Sequence, residues 1–237
     1  MSVERNLIIS LLKLTKAGPI LIENVNLDAR IPSTIAKKLL KKLQNEGLLY
    51  LNQENIELES NHRLKLAVKA ASLGADVEHI SNLLCWQEFE EIAALILKNN
   101  GYVVQNNVRF KHEGKRREID VVGCKKPLVI CIDCKQWQRA IASSAMRQIV
   151  DLQAQRTEAL ANSLPNIALK LECTKWDNAK FIPSVLSLIP SAFKFYDKVP
   201  VVPVLQLQDF ISQLPAYTEE LKFFLKTFNR LSHDFKN

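Results

Sequence analysis

A chain of 237 residues can bury one or two hydrophobic cores. Hydrophobic residues at 47% and charged residues at 24% fit a soluble globular protein, and no apolar run is long enough to span a bilayer. Lys and Arg exceed Asp and Glu by 32 to 25, a surplus compatible with a polyanionic partner without requiring one. The start Met1-Ser2-Val3-Glu4 lacks the basic and apolar regions of a secretory signal, so a cytoplasmic location with no membrane partner is the expectation. The five cysteines are odd in number and irregularly spaced, which argues against a disulfide framework.

Residues 3–16 place Leu7, Leu11, Leu12 and Leu14 at roughly helical spacing, and Gly18-Pro19 ends that helix. A second apolar segment, 20–27, leads to Pro32-Ser33, where Ser33 suits an N-cap. The following helix carries Ile35, Ala36, Leu39, Leu40 and Leu43 on one side and Lys37, Lys38, Lys41 and Lys42 on the other. Gly47 stops it, and 48–51 and 55–58 read as short strands around a polar turn. Residues 63–84 are helical in character, with a break at Gly74 and a cap at Asp76, and read as a connector.

From Trp86 the pattern becomes helix, strand, strand, strand, helix, strand. The helix is 86–99, ended by Gly101; strands follow at 102–110, 117–123 and 128–134. A long helix is expected over 143–161, strands over 181–189 and 199–205, and closing helices near 208–213 and 219–231. Arg109, Lys111, Lys115, Arg116 and Arg117 make the first hairpin basic.

The chemistry concentrates in Glu118-Ile119-Asp120 and Ile130-Cys131-Ile132-Asp133-Cys134-Lys135. Strand alternation puts Asp133 and Lys135 on one face and sends Cys131 and Cys134 to opposite faces, so a metal–thiolate pair is not expected there. Asp120 and Asp133 can offer hard oxygens to a divalent cation from neighbouring strands, and the Cys134 carbonyl can offer another. Lys135 suits orienting a water or stabilising negative charge. A charged pair inside an apolar strand calls for a partner, because burying unpaired charge is costly. Each residue also has an ordinary reading: Asp-x-Lys as an exposed strand face, Asp120 as a partner of Arg117, and Glu88 or Glu91 as solvated neighbours of Glu90. Trp137 suits either stacking on a base or packing over the sheet end. Phe193, Phe195 and Tyr196, beside Lys194 and Lys198, suit core or turn packing. His62, His79, His112 and His233 show no ligand spacing.

On Phe89-Glu90, Gly101-Tyr102, Asp120 and Asp133-Cys134-Lys135, the chain resembles the PD-(D/E)xK nuclease superfamily, with similarity to Mrr-type endonucleases and archaeal Holliday junction resolvases. The resemblance implies a restriction-endonuclease-like α/β domain with a central mixed sheet flanked by helices. It implies Mg²⁺, or Mn²⁺, at Glu90, Asp120, Asp133 and the Cys134 carbonyl, with Lys135 completing the catalytic set. Ile119 stands where the motif's name expects proline. Gln153 and Arg156 lie where relatives place polar, substrate-facing residues. The first sixty residues resemble a winged helix-turn-helix, in which Lys37, Lys38, Lys41 and Lys42 would meet a DNA groove; a solvated face or a protein contact suits them equally. Arg116 and Arg117 are expected to meet phosphate.

The expected domains are therefore 1–60 (winged helix), 61–84 (connector) and 85–237 (nuclease-like). The expected activity is metal-dependent hydrolysis of DNA, and the resemblance allows a homodimer. A non-catalytic DNA-binding protein and an RNA-processing nuclease are the alternatives.

Overall fold

The computed structural model describes residues 2–53, 55–135, 143–165, 169–188 and 194–228. Trp137, Phe193, His233, Ile189 and residues 229–231 lie outside them. The described residues divide into two compact units, one running to Ile92 and the other from Ala93 onward.

The first unit contains α1 (Val3–Leu14), α2 (Ile22–Ala29) and α3 (Ser33–Asn45). With them is a small antiparallel sheet of β1 (Ile20–Leu21), β2 (Tyr50–Asn52) and β3 (Asn55–Glu57), β3 in the middle. Three helices and a small hairpin thus occur in the expected order. On α3, Ala36, Leu40 and Leu43 are buried while all four lysines stay exposed, as an amphipathic helix requires. Its cap differs from the expected one. Pro32 precedes the helix in an extended conformation and its carbonyl accepts from the Ile35 and Ala36 amides; Ser33 is the first helical residue.

The segment expected as a connector forms α4 (Ser60–Ser72) and α5 (Val77–Leu83), which pack on α1 within this unit. Arg63, only 4% exposed, ties these helices together. Its Nη1 donates to the Leu12 carbonyl and Thr15 Oγ1, its Nη2 to the Leu83 carbonyl, and its Nε to Glu88 Oε1 at 2.5 Å. Glu88 Oε2 accepts from the Cys85 amide, so this buried carboxylate also caps the start of α6 (Trp86–Asn99). α6 begins in the first unit and ends in the second.

The second unit is built on a seven-stranded sheet of β4 (Val103–His112), β5 (Lys115–Lys125), β6 (Leu128–Lys135), β7 (Asn178–Ser187), β8 (Phe195–Tyr196), β9 (Val199–Pro203) and β10 (Phe224–Thr227). Its order is β4-β5-β6-β7-β9-β8, with β10 also on β7. β4, β5 and β6 are antiparallel; β6, β7 and β9 run parallel, so the sheet is mixed. The parallel step from β6 to β7 needs a crossover, and α7 (Ser143–Ser163) provides its helix. The β4–β5 hairpin closes on Glu113 and Gly114, both at positive φ, as a two-residue turn between twisted strands requires.

Helices flank both faces. Gly123 and Ile130 face each other across β5 and β6, and Leu97 of α6 rests against them; a Cβ on Gly123 would lie 3.0 Å from Leu97 Cδ1. Cys131 and Val122, one residue on, point the other way and join the core beneath α7. The chain end departs from the expected helix. Thr218–Glu220 make a single 3₁₀ turn after α8 (Leu207–Tyr217), and β10 pairs antiparallel with β7, Phe224 opposite Phe181. β9 covers only Val185–Ser187 of that edge, so the first half of β7 needs another strand for its peptide groups.

Candidate active site

The β5–β6 ladder runs from Lys125 opposite Leu128 to Val121 opposite Ile132 and stops there. The next positions outward are Asp120 and Asp133, so the two motif acids flank the point where the strands part. On the other side of β5, pairing with β4 covers Val103–Asn106 and Val108–His112 and skips Asn107, which stands across from Asp120 with φ 52°. Asparagine tolerates that left-handed conformation better than most residues. Asp120 therefore sits at an interruption of both ladders. Its Oδ2 takes the Cys134 amide at 2.7 Å, so the side chain does for β6 what the strand backbone no longer does.

Asp133 is 2% exposed. Its Oδ1 accepts from Arg156 Nη1 of α7 at 2.8 Å. Lys135 Nζ lies 2.9 Å from Oδ2, an ion-pair contact without hydrogen-bond alignment, so Oδ2 is buried with no hydrogen bond. Asp133 and Lys135 lie on one face of β6, as the residue spacing predicts, and the structure brings them into contact there. Burial pushes the Asp120 carboxyl above the usual aspartate range; the Cys134 amide opposes this, the nearby Asp133 charge adds to it, and Lys135 and Arg156 pull back. Among the described residues, Asp120, Asp133, Lys135 and Arg156 meet at this centre.

Other expected residues fall elsewhere. Gln153 is wholly buried, donating Nε2 to the Cys131 carbonyl at 2.8 Å, and Thr157 Oγ1 in turn donates to the Gln153 carbonyl. Gln153 therefore links α7 to β6 and does not face outward to a substrate. Arg156, one turn on, reaches Asp133 instead. Glu90 is buried at 5% exposure in the first half of α6. Glu88 and Glu91, its rivals in sequence, are taken by Arg63 and Ser60 respectively. Glu88 is buried, contrary to its solvated reading, because the Arg63 guanidinium lies beside it. Against the ordinary reading of Asp120 as a partner of Arg117, its Oδ2 accepts from the Cys134 amide.

The basic residues differ in their freedom. Lys42 is bound to Glu4 at 2.9 Å and reaches Glu46; Arg109 pairs with Glu118. Arg116 is exposed and lies directly opposite Lys111, a like-charge cross-strand pair, while Arg117 is partly buried opposite Phe110. A separate cleft of about 770 Å³, lined by Phe195, Lys198, Pro203, Phe210 and Tyr217 among others, contains none of the expected site residues. Phe195 is 52% exposed there, not packed in a core. Cys131 is buried in the core and Cys134 partly exposed, as alternation requires.

The donor set suits a hard divalent cation. Asp133 Oδ2 is a buried carboxylate oxygen without a hydrogen bond, and Asp120 lies at the neighbouring position. Among the described residues, no three His, Cys, Asp or Glu side chains gather closely enough to hold a metal alone. Two carboxylates with water and substrate oxygens would still fill a Mg²⁺ shell.

Residues 82–161 match the Mrr_cat family, described as restriction endonuclease. The matched segment contains Glu90, Asp120, Asp133, Lys135, Gln153 and Arg156, and supports placing it with the PD-(D/E)xK nucleases. An uncharacterized protein of Archaeoglobus fulgidus is 29% identical over 139 residues, covering 58% of this chain and 98% of that protein. A solved protein of unknown function, AF1548, aligns with a TM-score of 0.28 and 16% identity, over 42% of this chain and 46% of its own. The protein VC1899 from Vibrio cholerae aligns with a TM-score of 0.38 and 12% identity, over 92% of this chain and 52% of its own. The chain thus spans about half the length of each of these two. The mixed seven-stranded sheet flanked by helices is consistent with the restriction-endonuclease-like fold. Among the described residues, no helix is long and apolar enough to cross a membrane.

Proposed function

We propose that this chain is a divalent-metal-dependent endonuclease that hydrolyses DNA phosphodiester bonds in the cytoplasm. The observation that carries the reading is the Asp120–Asp133–Lys135 centre at the parting of β5 and β6, inside the segment that matches a restriction endonuclease.

Hydrolysis needs a water held in line with the scissile bond, compensation of charge building on phosphorus oxygens, and help for the leaving oxygen. A divalent cation at Asp120 and Asp133 would supply Lewis acidity and a more acidic water. The Cys134 amide fixes Asp120, which limits reorganisation on binding. Lys135, one-third exposed at its side chain, would donate to a phosphate oxygen or orient the attacking water. Glu90 stays a candidate ligand on the family resemblance alone.

The first unit is proposed as a winged helix that recruits duplex DNA through Lys37, Lys38 and Lys41. The order of its three helices and small sheet supports this reading. Lys42 contributes less, because Glu4 already neutralises it.

The test is cleavage of a panel of duplex, single-stranded and branched DNA, with matched RNA, by purified protein in Mg²⁺ or Mn²⁺. Asp133→Ala and Lys135→Ala should each lower cutting on the order of 100-fold or more while circular dichroism stays folded. Undiminished cutting by both variants rules out this centre. Preference for the RNA oligonucleotides at a fixed salt concentration would overturn the DNA assignment.

A further inference from the structure

The two cations around Asp133 are not equivalent. Arg156 Nη1 makes an aligned 2.8 Å hydrogen bond to Oδ1, whereas Lys135 Nζ stands 2.9 Å from Oδ2 without the alignment of one. Both carry one positive charge and both are about one-third exposed, at 30% for Arg156 and 33% for Lys135. What differs is geometry. The planar guanidinium comes from α7, a helix held against β6 by the buried Gln153–Cys131 bond one turn earlier. The lysine hangs from the strand itself on a flexible stem.

Resting on the metal-dependent reading above, we propose that Arg156 is a positioning residue that locks Asp133 by Oδ1, and that Lys135 is an exchangeable plug on Oδ2. Before metal arrives, Lys135 and Arg156 partner the two oxygens of a nearly inaccessible carboxylate, and an unpartnered buried carboxylate would be costly. When a divalent cation binds at Oδ2, Lys135 gives up that oxygen and Arg156 keeps its own. The freed ammonium then lies beside the centre, available to the substrate phosphate. Lysine placement is thereby coupled to metal occupancy, and the metal-free protein holds its catalytic amine in a salt bridge. No bond is made or broken in this step; one cation replaces another at a carboxylate oxygen.

Charge alone predicts that removing either Lys135 or Arg156 tightens metal binding equally, because each removal takes one positive charge from within 3 Å of Asp133. The exchange predicts asymmetry. Calorimetric titration of Mn²⁺ into full-length protein, without nucleic acid, should show Lys135→Met binding at least about threefold more tightly than wild type. Arg156→Met should show no tightening, because Asp133 loses its anchor while Lys135 still competes. Arg156→Gln serves if the methionine variant does not fold. A second readout is the side-chain ¹⁵N spectrum: added metal should shift the Lys135 ammonium and leave the Arg156 guanidinium signals in place. Equal tightening in both variants, or displacement of Arg156 with Lys135 unmoved, overturns the exchange while leaving the metal-dependent reading intact. Failure of wild type and both variants to bind any divalent cation overturns both.

Discussion

The main-chain amide of Cys134 donates to Asp120 Oδ2 at 2.7 Å, so one motif carboxylate is fixed by the strand that carries the other. The bond bridges the point where β5 and β6 stop pairing. It places an acid at a desolvated position that a strand amide would otherwise leave unsatisfied.

That placement costs stability at neutral pH. Burial raises the Asp120 pKa above its ordinary 3.8, so the folded state holds this proton more tightly than the unfolded state. The favourable contribution is therefore complete below the unfolded value and is lost as pH rises through the higher folded value. Asp120→Asn, which can still accept from Cys134 through its amide oxygen, should melt above wild type at pH 7. The difference should vanish below about pH 4, where Asp120 is neutral in both states. Cutting should be lost at every pH. Melting curves across that range check the sign; a lower Tm for the variant at pH 7 contradicts it.

Gln153 separates a structural from a substrate-facing role. Gln153→Ala removes the donor to the buried Cys131 carbonyl and should destabilise the protein by about 1–3 kcal/mol. Denaturant unfolding measures the loss. Nucleic-acid affinity of the folded variant should stay within about twofold of wild type; a large fall in affinity with unchanged stability would restore the substrate-facing role.

Three glutamates in one helical turn should behave differently. Glu88→Ala strands the Arg63 guanidinium among the Leu12 and Leu83 carbonyls and should cost about 3–5 kcal/mol. Glu91→Ala, losing one exposed bond to Ser60, should cost less than about 0.5 kcal/mol. Glu90→Gln is expected to affect cutting more than unfolding. Thermal melts of the three variants, with cleavage rates, settle the ranking.

Lys37, Lys38 and Lys41 are expected to lie along phosphates. Replacing all three by Ala should flatten the dependence of log affinity for duplex DNA on log salt by about two to three units, in EDTA to prevent cutting. Lys42→Ala should change the slope by less than about half a unit, since Glu4 holds that charge. An unchanged slope in the triple variant would assign this face to solvent or to a protein contact.

The helix, three strands and helix from Trp86 onward were legible because their apolar periods are local, and so was the shared face of Asp133 and Lys135. Glu88 and Gln153 were not. A glutamate at a helix start and a glutamine one turn from an arginine look solvent-facing until Arg63, 25 residues earlier, and Cys131, 22 residues earlier, are brought beside them. Phe224–Thr227 forms a strand where its sequence predicts helix, because its apolar spacing suits both periods and the open edge of β7 chooses between them.

Alternation with period two determined from sequence alone that Asp133 and Lys135 share a face and that Cys131 and Cys134 do not. Tertiary structure decided which oxygen of Asp133 is occupied and by what. Arg156 arrives from a helix packed across the sheet, and the β5–β6 ladder ends one pair short of the two acids. Neither the end of a ladder nor the seating of a crossover helix is a property of neighbouring residues; both depend on where distant strands stop pairing and which faces they bury.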